Sequence, residues 1–328
     1  MKNEAQYHVI GLTHNNMIVA ICDQHICYFN LMSEEMLTSK QMPSGEFIYA
    51  DKHVVVMSES TVSQTQHLHL YRLDDMAYLK TLQKDTACTL VKVSNTATYM
   101  ALQNGNTIDV WDTTTQTIIL SYSDSNIYFD EREAYIVVFK QSRSQDKSST
   151  LYIFDTKAHN NHTVVFDFKI TCQSQVDIKI AEVDGSTKIF FSAVFATEEE
   201  PCNLIIYDVQ KEDFISKSKV SCAIRTPKPN QLVGIFGDEI ILNAMYGGMG
   251  QSNQLWIADK HTGVYKEHNN SPSGTSIGHV IESSNENFLL LHCKCTYTNA
   301  EPTIQISALY DEKLSKVLDK KFYSWNKK

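Results

Sequence analysis

The side chains with the greatest chemical potential are few, and their spacing works against each candidate chemistry. His292, Cys293 and Cys295 supply three metal-ligating groups within one apolar run. A strand there puts both cysteines on one face and His292 on the other, so the three cannot converge on a tetrahedral zinc. His67 and His69 do share a strand face, yet a metal would need a third ligand from elsewhere, and imidazoles on strands commonly serve as hydrogen-bonded or solvated groups. Cys22 and Cys27 are separated by a turn and have no matching pair. Glu198, Glu199 and Glu200 precede Pro201, and adjacent carboxylates point apart, which reads as a solvated loop rather than a divalent-ion site. No nucleophile elbow, phosphate loop or dinucleotide fingerprint is present in the sequence. The expectation is a chain that is not an enzyme, with no catalytic residue, cofactor or metal.

The composition bounds the elements that must carry these residues. The 328 residues are 42% hydrophobic and 20% charged, with 14 Phe and 16 Tyr, enough apolar material for a large core. A net charge of −9 argues against a broad phosphate-tracking surface. The one basic cluster is C-terminal, where Lys313, Lys316, Lys320, Lys321, Lys327 and Lys328 surround Phe322, Tyr323 and Trp325. It makes an RNA-associated complex subunit an alternative reading, although nucleic acid is not the favoured partner. No apolar run reaches the length of a membrane span and the N-terminus lacks the apolar core of a signal peptide, so no membrane insertion is expected. Eight irregularly spaced cysteines fit reduced, buried thiols. The expectation is an intracellular protein, cytoplasmic or nuclear.

Strand-like runs of β-branched and aromatic residues recur along the whole chain, divided by short polar turns, and no stretch sustains a helical apolar period. One phrase recurs: an apolar strand ending in an aromatic or aliphatic residue followed by Asp or a near substitute. It reads ICYFN ending at Asn30, LHLYR at Arg72, IDVWD at Asp112, LYIFD at Asp155, LIIYD at Asp208, LWIAD at Asp259 and SALYD at Asp311. Seven such units, 40 to 53 residues apart, are the signature of propeller blades. The expected fold is all-β, a seven-bladed β-propeller with four antiparallel strands per blade. It forms a single domain over 1–328, with blades at 5–42, 43–84, 85–124, 125–170, 171–222, 223–270 and 271–322, then a tail at 323–328. In the third unit CTLVKVS, ATYMALQ, TIDVWD and TIILSYS read as strands a to d, with Asn104 and Gly105 in the b–c turn. Runs such as EIILNAM and NFLLLHC, apolar at nearly every position, imply strands buried on both faces.

The segment VSNTATYMALQNGNTIDVWDTTTQTII, with Trp111 and Asp112 as its dipeptide and Thr115 in the following turn, resembles a unit of the WD-repeat family. The other six units match by pattern, and the Gly-His pair that the family often carries appears once, at Gly278 and His279. Tyr246-Gly247-Gly248 resembles the kelch double glycine in a single unit. The WD-repeat resemblance implies a divergent propeller, held more by packing than by the family's His–Asp–Trp network, and working as a binding scaffold.

With that strand order, the a–b and c–d turns are uniformly short, while the b–c and d–a connections are long and varied: 141–149, 197–202, 219–230, 247–253, 267–276 and 296–302. A rigid scaffold displaying long loops at one end suits protein docking. The contact residues expected there are Arg143, Lys147, Arg225, Tyr246 and Met249, because aromatic and basic groups anchor interfaces. The expected function is a non-enzymatic protein–protein interaction scaffold, a subunit of an intracellular multiprotein complex. The alternative is a channel-centred propeller enzyme of hydrolase or lactonase type. It would need carboxylates and histidines on first strands such as TLVKVS and VDIKIA, which contribute few.

Overall fold

The structure is a computed structural model that describes residues 7–324 apart from 13–16, 23–24, 31–34, 42–44, 51–52, 61–64, 86, 142–148, 166–168, 171–175, 197–201, 219–230, 246–252, 267–282, 285–287, 299–300 and 312–315. Side-chain surroundings are described chiefly over 45–165, 176–192, 204–215 and 257–265. Among the described residues there is no helix, and the strands fall into seven antiparallel sheets, each built from a contiguous stretch of chain.

The first sheet holds β1 (Tyr7–Leu12), β2 (Met17–Cys22), β3 (His25–Asn30) and β4 (Glu35–Gln41). The second holds β5 (Glu46–Ala50), β6 (Val54–Ser60), β7 (Thr65–Arg72) and β8 (Tyr78–Asp85). The third is β9 (Thr89–Val93), β10 (Tyr99–Asn104), β11 (Thr107–Asp112) and β12 (Thr117–Ser123), the same four strands read from the sequence. The fourth is β13 (Asn126–Phe129), β14 (Tyr135–Lys140), β15 (Thr150–Asp155) and β16 (Asn160–Val165). The fifth contains β17 (Lys169–Ile170), β18 (Asp177–Val183), β19 (Ser186–Ala196), β20 (Cys202–Asp208) and β21 (Asp213–Ser218). The sixth is β22 (Gln231–Phe236), β23 (Glu239–Met245), β24 (Asn253–Asp259) and β25 (Tyr265–Lys266). The seventh is β26 (Ser283–Ser284), β27 (Phe288–Thr298), β28 (Glu301–Asp311) and β29 (Lys316–Ser324).

Every recurring phrase occupies the third strand of its sheet. The fifth sheet departs from the four-strand pattern because β19 is eleven residues long. Its first part pairs with β18 and its far end with the short β17, which places Lys169 and Ile170 on the fifth sheet rather than in the fourth unit.

Two compact units are distinguishable: residues 1–86 with 275–328, and residues 87–274. In the first, β1 lies beside β26 and β27, and neither the first nor the seventh sheet borrows a strand from the other terminus. There Val19, Ile26 and Tyr28 of the first sheet pack with Val55 and Met57 of the second, and the Tyr28 hydroxyl donates to the Leu73 carbonyl at 2.7 Å.

The second unit shows why its strands are apolar at consecutive positions. Ile189, Phe191, Ile205 and Tyr207 of the fifth sheet pack against Val137, Phe139, Leu151 and Ile153 of the fourth. Their neighbours in sequence, Phe190, Leu204 and Ile206, face Ile240, Leu242 and Ala258 of the sixth. Likewise Ile136, Val138 and Phe154 of the fourth sheet meet Ala101, Ile108 and Val110 of the third. Period-two geometry sends alternate side chains to opposite faces, and here both faces are covered by a neighbouring sheet. Each fully buried Val, Leu, Ile or Phe side chain contributes about 1.5–3 kcal/mol through the area it removes from water.

Candidate interaction surface

In antiparallel four-stranded sheets, the turn after the third strand lies at the same end as the turn after the first. At that end the recurring phrase has a local structural role. Asp112 Oδ1 accepts from the backbone N–H of Thr114 at 2.7 Å and Thr115 at 3.1 Å. Asp155 Oδ1 accepts from Lys157 and Ala158 N–H, both at 2.8 Å. Asp208 repeats this with Gln210 and Lys211, and Asp259 with His261 and Thr262. A short carboxylate thus occupies the donors that a tight turn leaves unpaired. Where Arg72 replaces the aspartate, Asp75 does related work: it accepts from Ala77 N–H and from the Arg72 guanidinium.

The residue four places after the phrase is left-handed in five consecutive sheets: Met76, Gln116, His159, Glu212 and Gly263 all have φ between 52° and 68°. The residue after the phrase ties the turn to the first turn of the same sheet. Thr113 N–H donates to Thr98 O and its hydroxyl to Ala97 O; Thr156 repeats this with Ala134 O and Glu133 O. Val209 and Lys260 N–H donate to Thr187 O and Asp238 O.

Bonds also run from sheet to sheet at this end of the second unit. Thr96 donates to Glu133 through its N–H at 2.7 Å and its hydroxyl at 2.6 Å, and Asn95 Nδ2 donates to Glu131 O. Arg132 pairs with Glu182, and Gln210 Nε2 donates to the Tyr135 hydroxyl at 3.3 Å. His261 Nδ1 lies 2.7 Å from Asp184 Oδ2, and within the sixth sheet Lys260 Nζ lies 2.8 Å from Asp238 Oδ1.

The titration behaviour follows these contacts. Burial pulls the Glu133 carboxyl upward, but hydrogen bonds from Ser94, Thr96 and Thr98 outweigh it and leave the pKa below its ordinary value. Asp208 is fully buried, and desolvation is again overcome, here by the Ser186 hydroxyl, the Lys211 N–H and the Lys211 charge. Asp259 is lowered foremost by the Thr262 N–H. Asp130 goes the other way because desolvation outweighs the backbone bonds it accepts. Tyr207 is pushed up to about 12 by desolvation and by Glu212, Asp213 and Asp208, and its hydroxyl lies 3.2 Å from His162 Nε2.

His67 and His69 share a face of β7, with rings 6.4 Å apart, as strand alternation requires. Gln83 Nε2 donates to His67 Nε2 at 3.0 Å; His69 Nδ1 meets the Thr81 hydroxyl at 2.7 Å and its Nε2 lies 3.4 Å from Glu59. Among the described residues no three His, Cys, Asp or Glu side chains are placed to hold one metal ion. Cys27 is buried on β3 and Cys22 ends β2. Cys293 and Cys295 are two positions apart on β27, opposite Ile306 and Ile304.

The sequence-assigned contact residues Arg143, Lys147, Arg225, Tyr246 and Met249 lie outside the described residues. Strands β14, β21 and β23 end, and β15, β22 and β24 begin, at the end of their sheets opposite the capped turns, within the second unit. The sheet-to-sheet bonds went unread in the sequence. Only Gly263 carried a visible signal for the left-handed turn position.

No protein-family model matches the chain, and no curated protein is detectably similar in sequence. Solved structures are similar in fold. Hsv2p from Kluyveromyces lactis superposes with a TM-score of 0.52 at 9% identity, covering 95% of this chain and 99% of its own. Hsv2 from Kluyveromyces marxianus gives 0.50 at 8%, covering 97% and 96%. A prolyl endopeptidase gives 0.51 at 8%, covering 98% of this chain and 50% of its own length. At such identities the likeness concerns architecture alone. The chain is an all-β protein of the β-propeller class, built from repeated four-stranded antiparallel sheets.

Proposed function

We propose that the chain is a divergent propeller of the WD-repeat type that performs no chemistry of its own and serves as a protein-docking scaffold, one subunit of an intracellular assembly. The observation that carries this reading is the asymmetry between the two ends of the sheets. At one end, short turns are fixed by a repeated carboxylate cap and by sheet-to-sheet bonds. At the other, the connections from Lys140 to Thr150, Ser218 to Gln231 and Met245 to Asn253 are long and unlike one another, beside the two-residue loop between β10 and β11. A scaffold held rigid at one end can vary the loops of the other without disturbing its packing. Arg143, Lys147, Arg225, Tyr246 and Met249 are the contact residues in this reading.

The test is affinity purification of the tagged chain from its native cells, repeated with 141–149 and 247–253 replaced by short Gly-Ser turns. Stoichiometric partners lost in the replacements, with the thermal melt unchanged, are the expected result. Partners indifferent to both loops would overturn the docking end.

A further inference from the structure

The chain contains a single Asn-Gly dipeptide, Asn104-Gly105, in the turn between β10 and β11. Asn104 pairs with Thr107 as the last rung of the ladder, so Gly105 and Asn106 form the two-residue loop. Gly105 takes the first central position with φ of +59°, as a type II′ turn requires. Both residues are exposed, and nothing lies within 4 Å of where a Gly105 Cβ would stand. Among the described residues the Asn104 side chain makes no hydrogen bond, while Gln103 Nε2 donates to the Gly105 carbonyl at 2.9 Å. The other Xaa-Gly turn with a succinimide-forming side chain, Asp184-Gly185, differs: the Asp184 carboxylate is held 2.7 Å from His261 Nδ1.

We propose that Asn104 is a spontaneous modification site in the folded protein, converting to aspartate and isoaspartate and so presenting a substrate for an isoaspartate-directed O-methyltransferase. The reaction needs only hydroxide and water. Loss of the Gly105 N–H proton to base leaves the nitrogen to attack Asn104 Cγ; the new N–Cγ bond forms, the Cγ–Nδ2 bond breaks, and the amide nitrogen departs as ammonia. Water then opens the five-membered succinimide at either carbonyl. Cleavage of the N–Cγ bond gives Asp at 104, and cleavage of the original peptide bond leaves the chain running through the side chain as isoaspartate. Without a side chain, Gly105 offers its nitrogen little steric protection, and the free Asn104 amide can turn toward it. Either product adds one negative charge to a chain already at −9. Isoaspartate also lengthens the backbone at the rung that a two-residue loop holds in register. This inference stands independently of the docking reading.

The experiment incubates the full-length folded chain in mildly alkaline buffer and follows each asparagine by peptide mapping. In parallel, methyl acceptance is measured with labelled S-adenosylmethionine and an isoaspartate methyltransferase. Asn104 is expected to convert several-fold faster than Asn106, Asn126 and Asn160, with isoaspartate at 104 and methyl acceptance abolished in Asn104→Gln. In Gly105→Ala the conversion should slow several-fold while Asn106 is unchanged. Conversion of Asn104 no faster than Asn106 in the folded chain, or conversion seen only after unfolding in urea, would overturn the proposal.

Discussion

Removing the carboxylate of Asp112 should loosen one turn and leave its sheet intact. Asp112 Oδ1 holds two backbone donors, Thr114 N–H at 2.7 Å and Thr115 N–H at 3.1 Å. Both donors are at an exposed turn, so water replaces the lost acceptor and no full burial penalty applies. The nearest measured counterpart is a short polar side chain capping unpaired N–H groups at a helix start, where replacement by Ala costs about 1 kcal/mol. Asp112→Ala should therefore cost about 1 kcal/mol, and Asp112→Asn, which keeps an acceptor oxygen but not the charge, roughly half of that. Urea unfolding gives the midpoint, and amide hydrogen exchange gives the locality: Thr114 and Thr115 should exchange faster while Ile108 and Val110 keep their protection. An unchanged midpoint with unchanged exchange at both threonines would refute the capping argument. Equal damage from Asn and Ala would assign the effect to charge rather than to the acceptor.

The left-handed turn position predicts a reciprocal pair: Gly263→Ala should destabilise by about 1–2 kcal/mol, while Gln116→Gly should cost nothing or stabilise by up to about 1 kcal/mol. Both are read from thermal melts. Phe191, 1% exposed, packs on the fourth sheet with its ring 6.4 Å from Phe139, whereas Phe190 faces the sixth. Each Phe→Ala change should cost about 3–5 kcal/mol, with exchange protection lost between the fourth and fifth sheets for Phe191 and between the fifth and sixth for Phe190. Asp259, whose pKa is lowered in the fold, contributes stability that is present above the ordinary carboxylate pKa and lost as pH falls through the folded value. Denaturation midpoints measured below about pH 4 should therefore fall less steeply in Asp259→Asn than in the parent chain.

The repeat was legible because it follows from burial. A strand covered on both faces must be apolar at consecutive positions, as Ile189, Phe190 and Phe191 are, and its polar turn then stands out. The phrase-ending aspartates were legible as a pattern, and the structure supplies their work as acceptors for the next turn. The left-handed residues were not legible, because Gln116, His159 and Glu212 carry no compositional sign of φ above zero where Gly263 does. The split first strand of the fifth sheet was equally hidden, since β17 has only two residues and its partner is set by the length of β19. Sheet-to-sheet bonds such as Thr96–Glu133 and His261–Asp184 join residues far apart in sequence, and no local pattern announces them.

The most direct test of the docking account is cross-linking mass spectrometry on the assembly captured with the tagged chain. The account predicts that cross-links from partners concentrate on Lys147, Lys219 and Lys228, in the long connections of the second unit, and avoid Lys157, Lys211 and Lys260 beside the capped turns. Cross-links concentrated on those last three lysines, with the long connections untouched, would contradict it.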